Sequence, residues 1–220
     1  MNGKPLIDWN WIGGHLDDIW ALTGEHLVLA FIAVAVGFAI SFVLALIALR
    51  WRRSYGPITA VAGLLYVIPS IALFAILVPV TGLTPLSAEV ALVSYTILIL
   101  VRNTVTGIDG VPIEAKESAD GMGFTSRGRF WRVELPLAMP LIVAGLRIAA
   151  VTTIGLVTVS ALIGQGGLGR LINEGLRTSF PTKTITGAVL SVALAVLADI
   201  GFVLLLRRLT PWTRPSSRNT

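Results

Sequence analysis

Five apolar runs constrain this chain more than any other feature: residues 27–49, 57–80, 87–106, 139–163 and 185–206. Each is long enough for the roughly 20 residues that a helix needs to cross a bilayer core. Charged residues make up 13% of the chain against about 25% in a soluble domain, and hydrophobic residues 55%. The expected fold class is therefore an all-α membrane protein with five transmembrane helices. Gly37, Gly63, Ala72, Gly145 and Gly155 lie inside the runs, where small residues permit close packing that lipid does not otherwise drive. Pro69 sits in the second run and predicts a kink, with a neighbouring helix supplying a partner for the freed carbonyl.

Lysine and arginine set the orientation. Arg50, Arg52 and Arg53 follow the first run; Arg102, Lys116, Arg127, Arg129 and Arg132 follow the third; Arg207, Arg208, Arg214 and Arg218 follow the fifth. The other side holds Lys4, Arg170, Arg177 and Lys183. This places the amino terminus outside and the carboxyl terminus in the cytoplasm. The net charge of +5 is then positive-inside topology and attraction to anionic lipid, not a nucleic-acid footprint. Residues 1–26 have no basic start followed by an apolar run, so they are not read as a signal peptide. Trp9, Ile12, Leu16, Ile19 and Trp20 recur at helical spacing, predicting a short amphipathic helix on the outer surface. Tryptophans 9, 11, 20, 51, 131 and 212 all fall outside the runs or at their ends, as in an interfacial belt. The organisation is an outer segment 1–26, a membrane domain 27–206 with a cytoplasmic loop 107–136, and a tail 207–220.

That loop is a charged island. Pro112 suits a first helical turn, and Glu114 and Glu117 lie near the positive end of the helix dipole. Gly121 and Gly123 end the helix, since glycine takes the left-handed position without a Cβ clash. Thr125 or Ser126 caps a second short helix, with Arg127, Arg129 and Arg132 on one side and Phe130, Trp131 and Val133 available for burial. Pro136 is expected to stop it.

Other chemistry is sparse. Cysteine is absent, which removes disulfides, thiolate metal sites and a cysteine nucleophile. There is no phosphate loop, so the chain cannot hydrolyse ATP, and no catalytic residue is expected. His15 and His26 are on the outer side without carboxylates at ligand spacing; isolated surface histidines are expected and no metal. Gly164-Gln165-Gly166-Gly167-Leu168-Gly169 matches a dinucleotide fingerprint, but no strand precedes it. It reads as a tight outer turn leading to a short helix near 168–176. Two ionisable residues lie at similar depth in the last two runs, Arg147 and Asp199. They either pair, or Arg147 reaches to the inner headgroups while Asp199 faces a wet cavity. Tyr66, Phe74 and Tyr95 are the aromatics that would face a pathway, with packing between helices the plainer alternative.

The island also carries a resemblance. Glu117-Ser118-Ala119, three residues, Gly123, nine residues, Val133-Glu134-Leu135-Pro136 is similar to the E-A-A loop of permease subunits in bacterial ABC importers. The stretches from Leu65 to Phe74 and from Leu100 to Ile108, with the Gly164 turn, resemble permeases for quaternary-ammonium osmoprotectants. The resemblance implies a type I importer (MetI-like) permease fold in the bacterial cytoplasmic membrane. It implies a coupling loop that docks on an ABC ATPase through Glu117, Ser118, Ala119, Gly123, Leu135 and Pro136. An outer gate would involve Gly164, Gly166, Gly167 and Gly169. ATP and magnesium would bind the ATPase, leaving this chain without a cofactor. Further partners would be a second permease subunit, identical or homologous, and an extracytoplasmic substrate-binding protein. The implied cargo is glycine betaine, choline or carnitine, with methionine or another amino acid as the alternative. A channel or secondary transporter would need polar residues in several spans or an inverted repeat.

Overall fold

The computed structural model describes residues 6–210. Lys4, Trp212, Arg214 and Arg218 fall outside them, as does most of the tail. The described chain is all helical: α1 Trp9–Gly14, α2 Leu16–Arg50, α3 Tyr55–Val67, α4 Ser70–Thr81, α5 Pro85–Asp109, α6 Ile113–Gly121, α7 Ser126–Arg129, α8 Leu135–Ser160, α9 Leu168–Arg177 and α10 Pro181–Leu209.

Helix α5 is the centre. It packs against α2, α8, α3 and α4 and contributes Ala88, Ala91, Leu92 and Tyr95 to a core that also holds Leu29, Ala33, Phe74 and Val157. Small residues set the helix spacing. A Cβ on Gly145 would sit 2.6 Å from the Cβ of Asn103, so α8 approaches α5 only because the side chain is missing. The outward faces are apolar, as a lipid solvent allows: Val189, Val192, Val196, Ile200 and Leu204 of α10 are all exposed.

Among the described residues, four helices are long and apolar enough to cross a membrane by themselves: Leu16–Arg50, Pro85–Asp109, Ser126–Ile163 and Pro181–Leu209. The second apolar run is different from the kinked span expected. It is two helices, Arg52–Val67 and Ser70–Thr81, meeting at 97°. Proline disfavours the helical region for the residue before it, and here Ile68 (φ −59°, ψ 127°) and Pro69 (φ −55°, ψ 134°) are both extended. Two consecutive extended residues turn the chain through a right angle. Tyr95 Oη donates to the Ile68 carbonyl at 2.5 Å, which supplies the neighbour's hydrogen bond that the break requires.

Three further expectations change. The amphipathic surface helix is only α1; Leu16, Ile19 and Trp20 belong to the first turns of α2, after a break at His15 (φ −127°). Pro136 does not stop a helix. It lies at the start of α8, preceded by a π turn at Phe130–Glu134 that joins α7 to α8. A π turn widens the backbone ring and gives room where proline removes the regular hydrogen bond. Finally, His26 is not on the surface. It is fully buried, and Nε2 donates to the Ile154 carbonyl of α8 at 3.0 Å; a histidine facing a neighbouring helix in lipid is held by such a bond.

Candidate functional site

The charged island folds as α6, a tight turn and α7, all beyond the ends of α5 and α8. Pro112 precedes the first turn of α6, which carries Glu114. At the other end the Phe124 N–H reaches back to the Ala119 carbonyl (3.1 Å) and the Gly123 N–H to the Asp120 carbonyl (3.0 Å). This pair of bonds is the Schellman arrangement, which needs a left-handed residue at the position Gly123 occupies. Gly123 has φ +81°, whereas Gly121 stays within the helix. Thr125 Oγ1 then accepts from the Gly128 N–H at 3.2 Å and caps α7.

The turn is braced by Arg129. Its guanidinium meets Asp120 at 2.5 Å and Glu134 at 2.8 Å, so one side chain links the end of α6 to the π turn. Glu134 is buried and depends on that partner. A second link, Arg52 to Asp109 at 2.6 Å, holds the segment after α2 to the end of α5. A cleft of about 300 Å³ opens among these groups, lined by Arg50, Asp109, Lys116, Ser126 and Phe130.

The loop residues singled out by spacing divide into two roles. Glu117 and Ser118 are exposed and available to a partner. Ala119 is fully buried and so faces inward from α6, while half-buried Leu135, with Ala115 of α6, packs beside Ile108, Val111, Ala138 and Ile142. Pro136 is half-buried at the base of α8. Sequence reasoning overlooked Ile113 (60% exposed) and Met122 (70%), apolar groups at the two ends of α6. Both side chains face outward from this segment, Ile113 before Glu117 and Met122 after it. Trp131, expected to bury, is half exposed and touches Phe130 and Phe42 edge-on or tilted.

At the opposite end of the bundle, the glycine turn wedges between α2 and α8. Gly164 (φ +81°), Gly166 (φ +133°) and Gly167 (φ +46°) have conformations that side chains resist. A Cβ on Gly167 would lie 2.5 Å from the Leu22 carbonyl, and one on Gly169 would lie 2.4 Å from the Thr158 carbonyl. The backbone thus makes direct contact with two spans. Glu25 fixes it: the Gly167 N–H points to Oε1 at 3.4 Å, and Arg170 forms an ion pair with the same carboxylate.

Between the last two long helices, Arg147 of α8 and Asp199 of α10 form a two-pronged pair, Nε to Oδ1 and Nη2 to Oδ2, the latter at 2.8 Å. The side chains are 45% and 36% exposed, so the pair lies at the side of the bundle and not inside it. Phe74 is buried in the core, Tyr95 almost so, and Tyr66 is exposed; the two tyrosine rings meet edge to face at 6.1 Å. Glu89 of α5 was not anticipated. Both its carboxylate oxygens are shielded and lack a hydrogen-bond partner among the described residues. The only signal was an acidic residue just inside the third apolar run.

Comparison with known proteins places this geometry. Residues 37–211 match the model of the family described as binding-protein-dependent transport system inner membrane component. The glycine betaine/carnitine/choline transport system permease protein OpuCB of Bacillus subtilis (strain 168) is 37% identical over 189 residues, 86% of this chain and 87% of its own. The choline transport system permease protein OpuBB of the same organism is 38% identical, with the same coverage. The osmoprotectant import permease protein OsmW of Salmonella typhimurium (strain LT2) is 37% identical over 81% of this chain and 86% of its own. Among solved structures, an inward-facing form of the MetNI methionine ABC transporter superposes with a TM-score of 0.78 at 23% identity, covering 90% of this chain and 98% of that one. At that identity the likeness concerns the fold.

Proposed function

The chain belongs to the binding-protein-dependent transport system inner membrane components, a non-catalytic permease family, and from that premise we propose that it forms the path for a quaternary-ammonium osmoprotectant. Membership implies an ATPase and a binding protein as partners. The reading continues from these. Two permease subunits, identical or homologous, enclose the path, and the α6–α7 surface of each sits on one ATPase subunit. The basic ends of α2 and α10 and the carboxyl end of α5 then lie in the cytoplasm, with the glycine turn outside.

The observation that carries the substrate class is the identity, 37–38% over 86% of the chain, to permeases named for choline and for glycine betaine, carnitine and choline. The chemistry is compatible with it: a cation over an exposed aromatic ring such as Tyr66 gains ~0.5–2 kcal/mol, whereas Phe74 and Tyr95 are taken up by packing between helices. Transport is driven by differential docking. Closure of the ATPase pair on ATP shifts the two α6–α7 surfaces and selects the outward-open arrangement, and release selects the inward one. No group in this chain supplies the energy.

The test is uptake into vesicles reconstituted with this permease, its ATPase and its binding protein. ATP-dependent accumulation of labelled glycine betaine, choline or carnitine is expected. Accumulation of methionine alone would overturn the substrate class, and uptake without the ATPase would overturn the mechanism.

A further inference from the structure

Along the outside of the bundle, a groove of about 480 Å³ runs between the α1–α2 corner and α10. One wall is Ile12, Leu16 and Trp20; the other is Val189, Ala193 and Leu197. Its origin is local. The chain breaks at His15, whose Nδ1 donates to the Trp11 carbonyl at 2.8 Å, and α1 folds back toward the start of α10. There the Asp8 N–H donates to Thr182 Oγ1 at 3.0 Å, which shuts one end of the groove. Trp11 turns inward, stacked on His15 at 4.5 Å and edge-on to Phe180. Trp9 and Trp20 stay outside at the rim, 73% and 71% exposed.

We propose that this groove seats one phospholipid acyl chain from the leaflet on the α1 side. Three observations select that occupant. The first is length: from Ile185 to Leu197 the α10 wall extends about 18 Å at ~1.5 Å per residue, close to the roughly 15 Å depth of one leaflet's hydrocarbon. The second is composition. The exposed residues that continue this face, Val192, Val196, Ile200 and Leu204, are bulky aliphatics, while helix–helix contacts in membranes use small residues and polar side chains. The third is the closed end. A second helix, about 10 Å across, would have to pass the link between Asp8 and Thr182, whereas a chain that ends in a headgroup stops there. Trp9 and Trp20 then sit where tryptophan is favoured, at the boundary between tails and headgroups.

Photo-crosslinking tests this on the assembled transporter in vesicles of phosphatidylethanolamine and phosphatidylglycerol carrying a diazirine mid-way along one acyl chain. Adducts are mapped by peptide. Wild-type adducts should fall on residues 7–23 and 185–197 several-fold more than on 200–205, which meet bulk lipid. Ala193→Trp, which fills the groove from an exposed position, should abolish that excess, and Leu204→Trp should leave it. Equal labelling along all of α10 would overturn the proposal. So would efficient subunit-to-subunit cross-linking of Val189→Cys in this cysteine-free chain, since a second copy would then be the occupant.

Discussion

Replacing Gly123 tests the proposed docking surface with little ambiguity, because the residue has a demanding backbone and empty surroundings. At φ +81° it lies in the left-handed region, yet a Cβ there would meet nothing within 4 Å. Any penalty is thus conformational and not a clash. An L residue held in that conformation costs about 1–2 kcal/mol, β-branched residues the most. The chain can instead relax the turn and give up the two bonds from Phe124 and Gly123, each worth about 0.5–1.5 kcal/mol. Both routes converge on ~1–3 kcal/mol, and 1–2 kcal/mol is a 5- to 30-fold shift away from the native α6–α7 arrangement. We expect Gly123→Asn to be nearly neutral, Gly123→Ala intermediate and Gly123→Val worst, with membrane insertion unchanged in all three. The assay is ATP-driven uptake and co-purification of the ATPase, measured across the series. Wild-type coupling in Gly123→Val would refute the argument, and so would an Asn variant as impaired as the Val variant, which would mean that strain is not the cause.

Three other outcomes are expected. Tyr95→Phe removes the donor to the Ile68 carbonyl and should lower detergent stability by about 1–3 kcal/mol; a melting temperature equal to wild type would show that another group serves the elbow. For Arg147 and Asp199, each single Leu variant should lose more stability than the double variant, because the double leaves no unpaired charge in the bilayer; single losses that simply add would show that the contact contributes no coupling. Cysteines at Ser126 and Ser179 should react with an impermeant thiol reagent from opposite faces, Ser126 from the cytoplasm, and labelling of both from outside would reverse the proposed topology.

Much of the fold was legible because bilayers punish exceptions. Run length located the long helices, and the glycine spacing located the end of α6, although of the two glycines read there only Gly123 takes the left-handed conformation and Gly121 stays helical. Proline was read less well. Pro69 and Pro136 look alike in sequence, but one breaks a span at a right angle and the other starts a helix behind a π turn. The difference lies in what surrounds them: Tyr95 donates a hydrogen bond to the carbonyl before Pro69, and Arg129 holds Glu134 through the turn before Pro136. His26 was misread because its partner, the Ile154 carbonyl, is 128 residues away. Ile113 and Met122 were passed over because single apolar residues in a polar loop carry no periodicity; only their exposure gives them meaning.

The π turn has a mechanical consequence. Because α7, the turn and α8 run on without a sharp bend, Ser126–Ile163 is one 38-residue helical body, roughly 57 Å long at ~1.5 Å per residue. One end is tied through Arg129 to α6, and the other runs into the glycine turn at Gly164. Such a body is a lever. Each degree of tilt about its α7 end would carry its far end by roughly 1 Å on that length, so a small rocking of α6 would become a displacement at the opposite end of the bundle, beside the glycine turn that lies against α2.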